Sequence, residues 1–343
     1  MNNKSNRFQE LDALRGLAAL MVVFFHFTLG RAEANIGFKL GTTGVDLFFI
    51  ISGFVIFMSI SKVKSSRDFV INRISRLYPT YWACVTFTFL LISIINLSNH
   101  NNIPIFKYIG NMTMFQYYLK ISDLDGPYWT MIIEMIFYIF ILLLFHFKIL
   151  RYFNLLGILL SITLVVSTYF LNNNLVQKLF IAIPFLQFVP LFIAGSIFYK
   201  IYTEKKRLFE NYILIITCLI CQIVLFKFSG RSSMFINHVE YSSMLILYFF
   251  IFTLFVSGNL KFIVSRPSLF LGKISFALYL IHQYVSINII IPTLINKWNV
   301  NFWIASFLIT LPIVIGIASL VTYYIEVPLS KKMKEKLKKV IWN

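Results

Sequence analysis

The sequence predicts an all-α membrane protein, a polytopic bundle of about ten transmembrane helices with both termini in the cytoplasm. Of its 343 residues, 59% are hydrophobic and only 13% are charged, and the mean hydropathy is +0.79. A helix needs about 20 apolar residues to cross a bilayer core, and runs of that length recur along the whole chain. The charged residues lie mainly between these runs, where a membrane protein meets water.

The apolar runs predict ten helices in order along the chain. They cover about residues 11–30, 43–62, 76–97, 128–147, 150–171, 179–202, 211–228, 241–257, 269–292 and 302–326. With the N-terminus inside, the connections that face the cytosol hold 22 of the 31 Lys and Arg residues, and the outer connections hold 8. This excess predicts the orientation, because cytoplasmic connections are rich in Lys and Arg. An even number of spans then returns the C-terminus to the cytoplasm.

We divide the chain into a transmembrane domain, residues 1–330, and a basic cytoplasmic tail, residues 331–343. The tail holds six lysines in an amphipathic pattern, which is typical of a helix that lies on anionic membrane lipid. The net charge of +18 is therefore explained by membrane topology, and no nucleic-acid partner is expected. Cys218 and Cys221 lie inside an apolar run with no further ligand nearby, so we expect two packed thiols rather than a metal or redox site.

Ionisable side chains within the predicted spans are the candidate functional residues, because burying them in a membrane is costly. The first run, "LDALRGLAALMVVFFHFTLG", contains Arg15 and His26. Eleven residues is close to three helical turns and about 16 Å of rise, so the two side chains share one face of the helix. The candidates in later spans are Asp46, Glu134 and His282, which with His26 fall in the outer half, and Glu326, which with Arg15 falls in the inner half.

Arg73 and Arg76 form an R-x-x-R pair in "INRISRLYPTYW", beside the third span. At helical spacing both guanidinium groups lie on one face, and two such planar groups suit a phosphate-rich ligand that arrives from the cytosol. Structural explanations also exist for these residues. Arg15 fits a side chain that snorkels to the interface, the R-x-x-R pair fits a topology determinant, Asp46 fits a helix cap, and a buried histidine fits hydrogen-bonded packing.

Six sequence blocks, in this order, resemble the acyltransferase-3 family: "RFQELDALRGLAALMVVFFH", "GTTGVDLFFIISGFVIF", "NRISRLYPTYW", "PYWTMIIEMIFY", "LGKISFALYLIH" and "IEVP". They extend from residue 7 to residue 328; the first two are specific, and the last three are weak alone. The family consists of bacterial membrane enzymes that O-acetylate surface polysaccharides, nodulation factors and related glycans. The resemblance implies a multi-pass O-acyltransferase of the bacterial inner membrane that takes its acyl group from acyl-CoA, usually acetyl-CoA. The implied acceptor is a glycan or its lipid-linked precursor.

The resemblance also implies roles for single residues. His26 matches the family's catalytic histidine, and Arg15 with the R-x-x-R pair matches arginines that we assign to the acyl-CoA donor. Of the other matched residues, we assign Asp46 and Glu134 to catalysis and Trp129 and His282 to substrate binding, and we assign no role to Glu326.

Two features depart from the family pattern. The fourth-helix block usually reads W-S-L-x-x-E, whereas here Thr130 replaces Ser and keeps the hydroxyl, and Met131 replaces Leu. Many relatives also carry a fused extracytoplasmic hydrolase-like domain, and we expect none in this sequence. Whether a separate extracytoplasmic partner protein completes the transfer stays open.

These assignments together predict a path through the bundle. The CoA phosphates bind the arginines at a cytoplasmic mouth, the thioester extends to His26, and the acceptor enters from the outer side. His26 acts either as a general base on an acceptor hydroxyl or as a nucleophile, and Asp46 or Glu134 orients its ring. A proton-coupled exporter of a small metabolite or glycan precursor would also carry buried charges, but the R-x-x-R pair and the lack of an inverted repeat favour the enzyme. A structural scaffold explains none of the buried charges.

Overall fold

The computed structural model describes residues 8–34, 37–170, 173–228 and 232–342. Over these ranges the chain forms α, 3₁₀ and π helices and no strand. Ten helical segments within them are long and apolar enough to cross a membrane. The predicted all-α, polytopic fold with ten spans is therefore confirmed.

The α-helices are numbered here in chain order. They are α1 (Gln9–Thr28), α2 (Gly44–Ile60), α3 (Ser66–Ser98), α4 (Ile105–Met112), α5 (Trp129–His146), α6 (Phe153–Phe170), α7 (Asn173–Ala182), α8 (Val189–Glu204), α9 (Leu208–Leu225), α10 (His238–Val256), α11 (Arg266–Tyr284), α12 (Ile291–Trp298), α13 (Leu311–Leu320) and α14 (Val327–Trp342). The short helices α4 and α7 lie in connections between spans.

The third span starts earlier than its predicted start at about residue 76. Helix α3 runs for 33 residues from Ser66, because the side chain of Ser65 caps it by accepting a hydrogen bond of 3.1 Å from the backbone N–H of Asp68. Both arginines of the R-x-x-R pair therefore lie inside a continuous helix. Their three-residue spacing places them on neighbouring positions of one face.

Three π-helical segments interrupt the last two spans: Val285–Ile290, Ile304–Thr310 and Val321–Glu326. A π turn holds one more residue than an α turn and is frequent at functional sites. The third segment leads directly into α14, which contains residues 331–342 of the predicted tail and packs against α3. The lysine-rich end of the chain is thus a continuation of the tenth span.

The fold consists of two compact units. Unit 1 comprises residues 1–22, 38–63 and 140–272. Within it α2 packs closely on α8: a Cβ on Gly53 would collide with the carbonyl oxygen of Phe192, and a Cβ on Gly195 with that of Ile50. Small residues of this kind let two membrane helices approach to backbone contact. In the same unit Cys218 is a buried free thiol.

Unit 2 comprises residues 23–37, 64–139 and 273–343. It contains α3, α4, the start of α5, most of α11 and the helices from α12 to α14. Six of the eight predicted site residues belong to this unit.

Candidate active site

The structure brings the two predicted intramembrane histidines together in unit 2. His26 lies in the last turn of α1, and His282 lies near the end of α11. Nδ1 of His26 is 2.9 Å from Nε2 of His282, and the ring centroids are 5.0 Å apart. His282 is fully buried, whereas His26 is half-buried. The second histidine therefore contacts the predicted catalytic residue directly.

The other ring nitrogen of His282 faces its own helix. Nδ1 lies 2.9 Å from the carbonyl oxygen of Tyr279 and 3.2 Å from that of Leu278. These residues precede His282 by three and four positions, which is the spacing at which a side chain reaches the preceding helical turn. Both ring nitrogens are thus engaged, one by the helix backbone and one by His26.

The turn before α5 is fastened to α11 on both sides of His282. Asp125 accepts hydrogen bonds from the backbone N–H of Tyr284, at 3.1 Å to each carboxylate oxygen, and from that of Gly126 at 2.7 Å. Thr130 shares a hydrogen bond of 3.0 Å with the hydroxyl of Tyr279. The hydroxyl that Thr130 keeps in place of the family's Ser is therefore used to position α11. Trp129, which lies in the chain between Asp125 and Thr130, is half-buried at the start of α5.

Asp125 is a buried carboxyl group just outside the spans. Its burial is the main cause that raises its pKa to about 7, while the N–H groups of Tyr284 and Gly126 act in the opposite direction. Asp125 was not among the residues predicted from the sequence. An available signal was an Asp directly before a Gly-Pro pair at the start of a helix, which is an N-cap pattern.

Glu134 belongs to unit 2, as do Arg73 and Arg76, the two arginines of the R-x-x-R pair that were predicted to bind acyl-CoA. One turn further along α5, the hydroxyl of Tyr138 donates a hydrogen bond to the Glu134 carboxylate. The guanidinium carbon of Arg73 lies 5.6 Å from the ring centres of both Tyr138 and Phe69, within the range of a cation–π contact. Arg73 is thus held between two aromatic rings, one of which is hydrogen-bonded to Glu134.

A basic cavity of about 540 Å³ opens between α3 and α14, and we call it the arginine pocket. Its lining residues are Asn72, Arg73, Ser75, Arg76, Glu326, Val327, Ser330, Lys331 and Lys334. Arg73 is only 8% exposed. Its Nε and Nη1 atoms, Oδ1 of Asn72 and Oγ of Ser330 are buried without a hydrogen-bond partner among the residues that the structure describes.

Buried polar atoms without a partner are rare and cost about 1–3 kcal/mol each. The chemistry of the arginine pocket, two arginines and two lysines with one carboxylate, suits a ligand that carries several negative charges. The amphipathic pattern of the tail predicted that Lys331 and Lys334 lie on lipid, whereas in the structure they line this pocket. Their i, i+3 spacing, which matches that of the arginine pair, was the only available signal.

The remaining two predicted residues belong to unit 1. Asp46 is buried in the first turn of α2 and accepts a hydrogen bond of 2.8 Å from the hydroxyl of Tyr241. That hydroxyl also accepts one of 3.0 Å from the Gln222 amide. Arg15 is half-buried in the second turn of α1. Both predicted orienting carboxylates, Asp46 and Glu134, thus bind a tyrosine hydroxyl.

The chain is similar to known proteins over most of its length. The acyltransferase domain family matches residues 8–323, which include every predicted site residue. A protein of the Acidianus two-tailed virus, named "Putative acetyltransferase ORF330", is 26% identical over 293 residues, which are 81% of this chain and 83% of its own length. No solved structure matches the chain significantly. Because the family match covers most of the ten-span bundle, the chain belongs to the acyltransferase-3 family of membrane acyltransferases.

Proposed function

We propose that this acyltransferase moves an acyl group, in the first instance acetyl, from cytosolic acyl-CoA to a hydroxyl of a cell-surface glycan or its lipid-linked precursor. The observation that carries this proposal is the arginine pocket, in which Arg73 is buried with unsatisfied donor atoms. The same unit of the fold holds the histidine pair. One unit thus offers both an anion site and a base.

The donor assignment depends on charge and shape. CoA carries a diphosphate and a 3′-phosphate, and the arginine pocket offers planar guanidinium forks from Arg73 and Arg76 with point charges from Lys331 and Lys334. A volume of about 540 Å³ is typical of small-molecule sites. The Lys and Arg bias predicts that this pocket faces the cytoplasm, where acyl-CoA is made.

The chemistry depends on His26. In one route its ring takes the proton of the acceptor hydroxyl while that oxygen attacks the thioester carbon; the C–S bond breaks, and the CoA thiolate receives the proton. In the other route the ring nitrogen attacks the thioester carbon first and CoA leaves as the thiolate; the acceptor hydroxyl then attacks the acyl-imidazole, the acyl–nitrogen bond breaks, and the acceptor's proton passes to the thiolate. Both routes need an imidazole nitrogen with a lone pair.

The proposal is tested with purified protein in nanodiscs and radiolabelled acetyl-CoA. We expect release of free CoA thiol and transfer of label to a glycan acceptor, and loss of both in the His26→Ala variant. Label bound to the protein when the acceptor is omitted distinguishes the acyl-imidazole route from the general-base route. A protein that exports a metabolite would leave the thioester intact.

The acceptor is tested in cells. Mass spectrometry of surface glycans from cells with the gene, without it, and with the His26→Ala variant should show one acyl mass that only the active protein adds. Glycans of unchanged mass in all three strains, together with CoA release in vitro, would point to a different acceptor class.

A further inference from the structure

We propose that His282 fixes the tautomer of His26: it holds the proton on Nδ1 of His26 and leaves the lone pair on Nε2, the nitrogen that reacts. This inference rests on the proposed function and concerns the same site. It makes His282 a positioning residue, whereas the sequence predicted a substrate-binding role for it.

The helix backbone determines the tautomer of His282. Its Nδ1 faces the carbonyl oxygens of Tyr279 and Leu278 at 2.9 and 3.2 Å. A carbonyl oxygen only accepts hydrogen bonds. Nδ1 of His282 must therefore carry a hydrogen.

The tautomer of His282 in turn determines that of His26. A neutral imidazole with a proton on Nδ1 has only an acceptor at Nε2. The 2.9 Å contact between Nε2 of His282 and Nδ1 of His26 then requires that Nδ1 of His26 donates. A neutral His26 with its proton on Nδ1 carries its lone pair on Nε2.

The alternative direction of this hydrogen bond is costly. Nε2 of His282 would donate only if the ring were an imidazolium with protons on both nitrogens. His282 is fully buried within a span, and an uncompensated charge there carries a large desolvation penalty. Its described hydrogen-bond partners are two neutral carbonyls and a neutral ring, none of which repays that penalty.

The arrangement also stabilises the charged stage of the reaction. When Nε2 of His26 takes a proton or an acyl group, its ring becomes cationic, and the Nδ1–H bond to His282 becomes a stronger, charge-assisted one. A carboxylate would do the same but would have to be kept charged inside the bundle. A neutral imidazole performs this task without a resting charge.

The ring of His282 is held in place by its own helix. Tyr279, whose carbonyl oxygen accepts from Nδ1, is itself hydrogen-bonded through its hydroxyl to Thr130. Asp125 binds the backbone of Tyr284, two residues after His282. The turn before α5 and its first residues thus restrain α11 on both sides of the histidine.

Three substitutions of His282 separate positioning from packing. The amide oxygen of Gln in His282→Gln can reach the place of Nε2 and accept from Nδ1–H of His26, whereas Asn in His282→Asn is too short and Leu in His282→Leu has no acceptor. We expect kcat to fall roughly 10²-fold in the Asn and Leu variants and to recover to within about tenfold of the wild type with Gln. The KM for acetyl-CoA should stay unchanged, because the arginine pocket is intact.

The tautomer itself is measured by ¹⁵N NMR of histidine-labelled protein in nanodiscs, with His26→Gln used to assign its signals among the five histidines. We expect the wild-type His26 to be protonated on Nδ1, and this state to be lost with Leu at position 282. A wild-type His26 protonated on Nε2 would overturn the inference, and so would equal losses of kcat in the Gln and Leu variants. The spectrum needs no acyl transfer, so a failure of the proposed function is seen separately, as wild-type protein that never releases CoA.

Discussion

Asp125 and Tyr284 are 159 residues apart in the chain, yet both carboxylate oxygens of Asp125 accept the backbone N–H of Tyr284 at 3.1 Å. This contact joins the turn before α5 to the end of α11, directly beside His282. It depends on a carboxyl group whose pKa is raised by burial to about 7. The contribution of this link to stability therefore depends on pH.

Replacing Asp125 with Asn should stabilise the protein more strongly as the pH rises. The folded carboxyl group titrates near pH 7 and the unfolded one near its ordinary value of 3.8, so the wild type loses stability as the pH rises from about 4 to 7. Asn stays neutral and keeps an oxygen that accepts from Tyr284. Thermal unfolding in detergent should show a Tm advantage for Asp125→Asn that grows from pH 5 to pH 7 and then levels off. A variant less stable than the wild type at pH 8 would contradict the assigned cause.

Two pairs of lysines on α14 provide a matched test of donor binding. Lys331 and Lys334 line the arginine pocket, whereas Lys332 and Lys336 line an apolar groove of about 750 Å³ beside Trp82. Each double Lys→Gln variant removes the same charge from the same helix. Hydrogen bonds to charged groups contribute about 1.5–3 kcal/mol, so the first variant should raise the KM for acetyl-CoA at least about tenfold and the second should change it little. Equal effects of the two variants would assign the lysines to general attraction of anions.

Replacing His26 with Ala should abolish transfer but leave the protein folded. Loss of a general base typically costs about 10²–10⁴-fold in rate, and the change removes a polar group from a span without adding one. His146→Ala, an exposed histidine at the end of α5, is the control and should retain full activity. The measurement is acyl transfer per folded molecule, with gel filtration of both variants. Wild-type rates in His26→Ala would remove this residue from the mechanism.

Gly53→Ala should destabilise the fold markedly, because the added methyl group meets the backbone of α8 at the carbonyl oxygen of Phe192. A backbone atom cannot move aside as a flexible side chain can, so α2 and α8 must separate. Gly316→Ala is the control, since a Cβ at that position of α13 has no neighbour within 4 Å. We expect a lower Tm for the first variant and an unchanged or higher Tm for the second, because Ala is the better helix former. An equal response of both would argue against the close approach.

The ten spans were predictable because hydropathy reports directly on burial in lipid, and that burial is what creates a span. The start of α3 was not, since residues 66–75 are polar enough to hide a helix that Ser65 caps. Local pattern also identified His26 and His282 as costly intramembrane groups. Their contact could not be predicted from local pattern, because no sequence period relates two residues that are 256 positions apart on different helices.

The roles of the lysines in α14 could not be predicted from local sequence pattern either. An amphipathic, lysine-rich segment has the same pattern whether it lies on lipid or packs on another helix. The contact of α14 with α3 is a tertiary choice that the segment does not encode alone. Lys331 and Lys334 acquire a role in the arginine pocket only through that contact.

The π-helical segment Val321–Glu326 sets the rotation of everything that follows it. Because a π turn holds one more residue than an α turn, the loss of one residue from this segment would restore a regular helix and leave α14 in nearly its present rotation. Lys331 and Lys334 would keep lining the arginine pocket, whereas the loss of a residue from the regular helix between Val327 and Ser330 would rotate both lysines away by about 100°. The wide turn thus lets the tenth span gain or lose a residue while the side chains of α14 keep their faces, and a deletion one turn later does not.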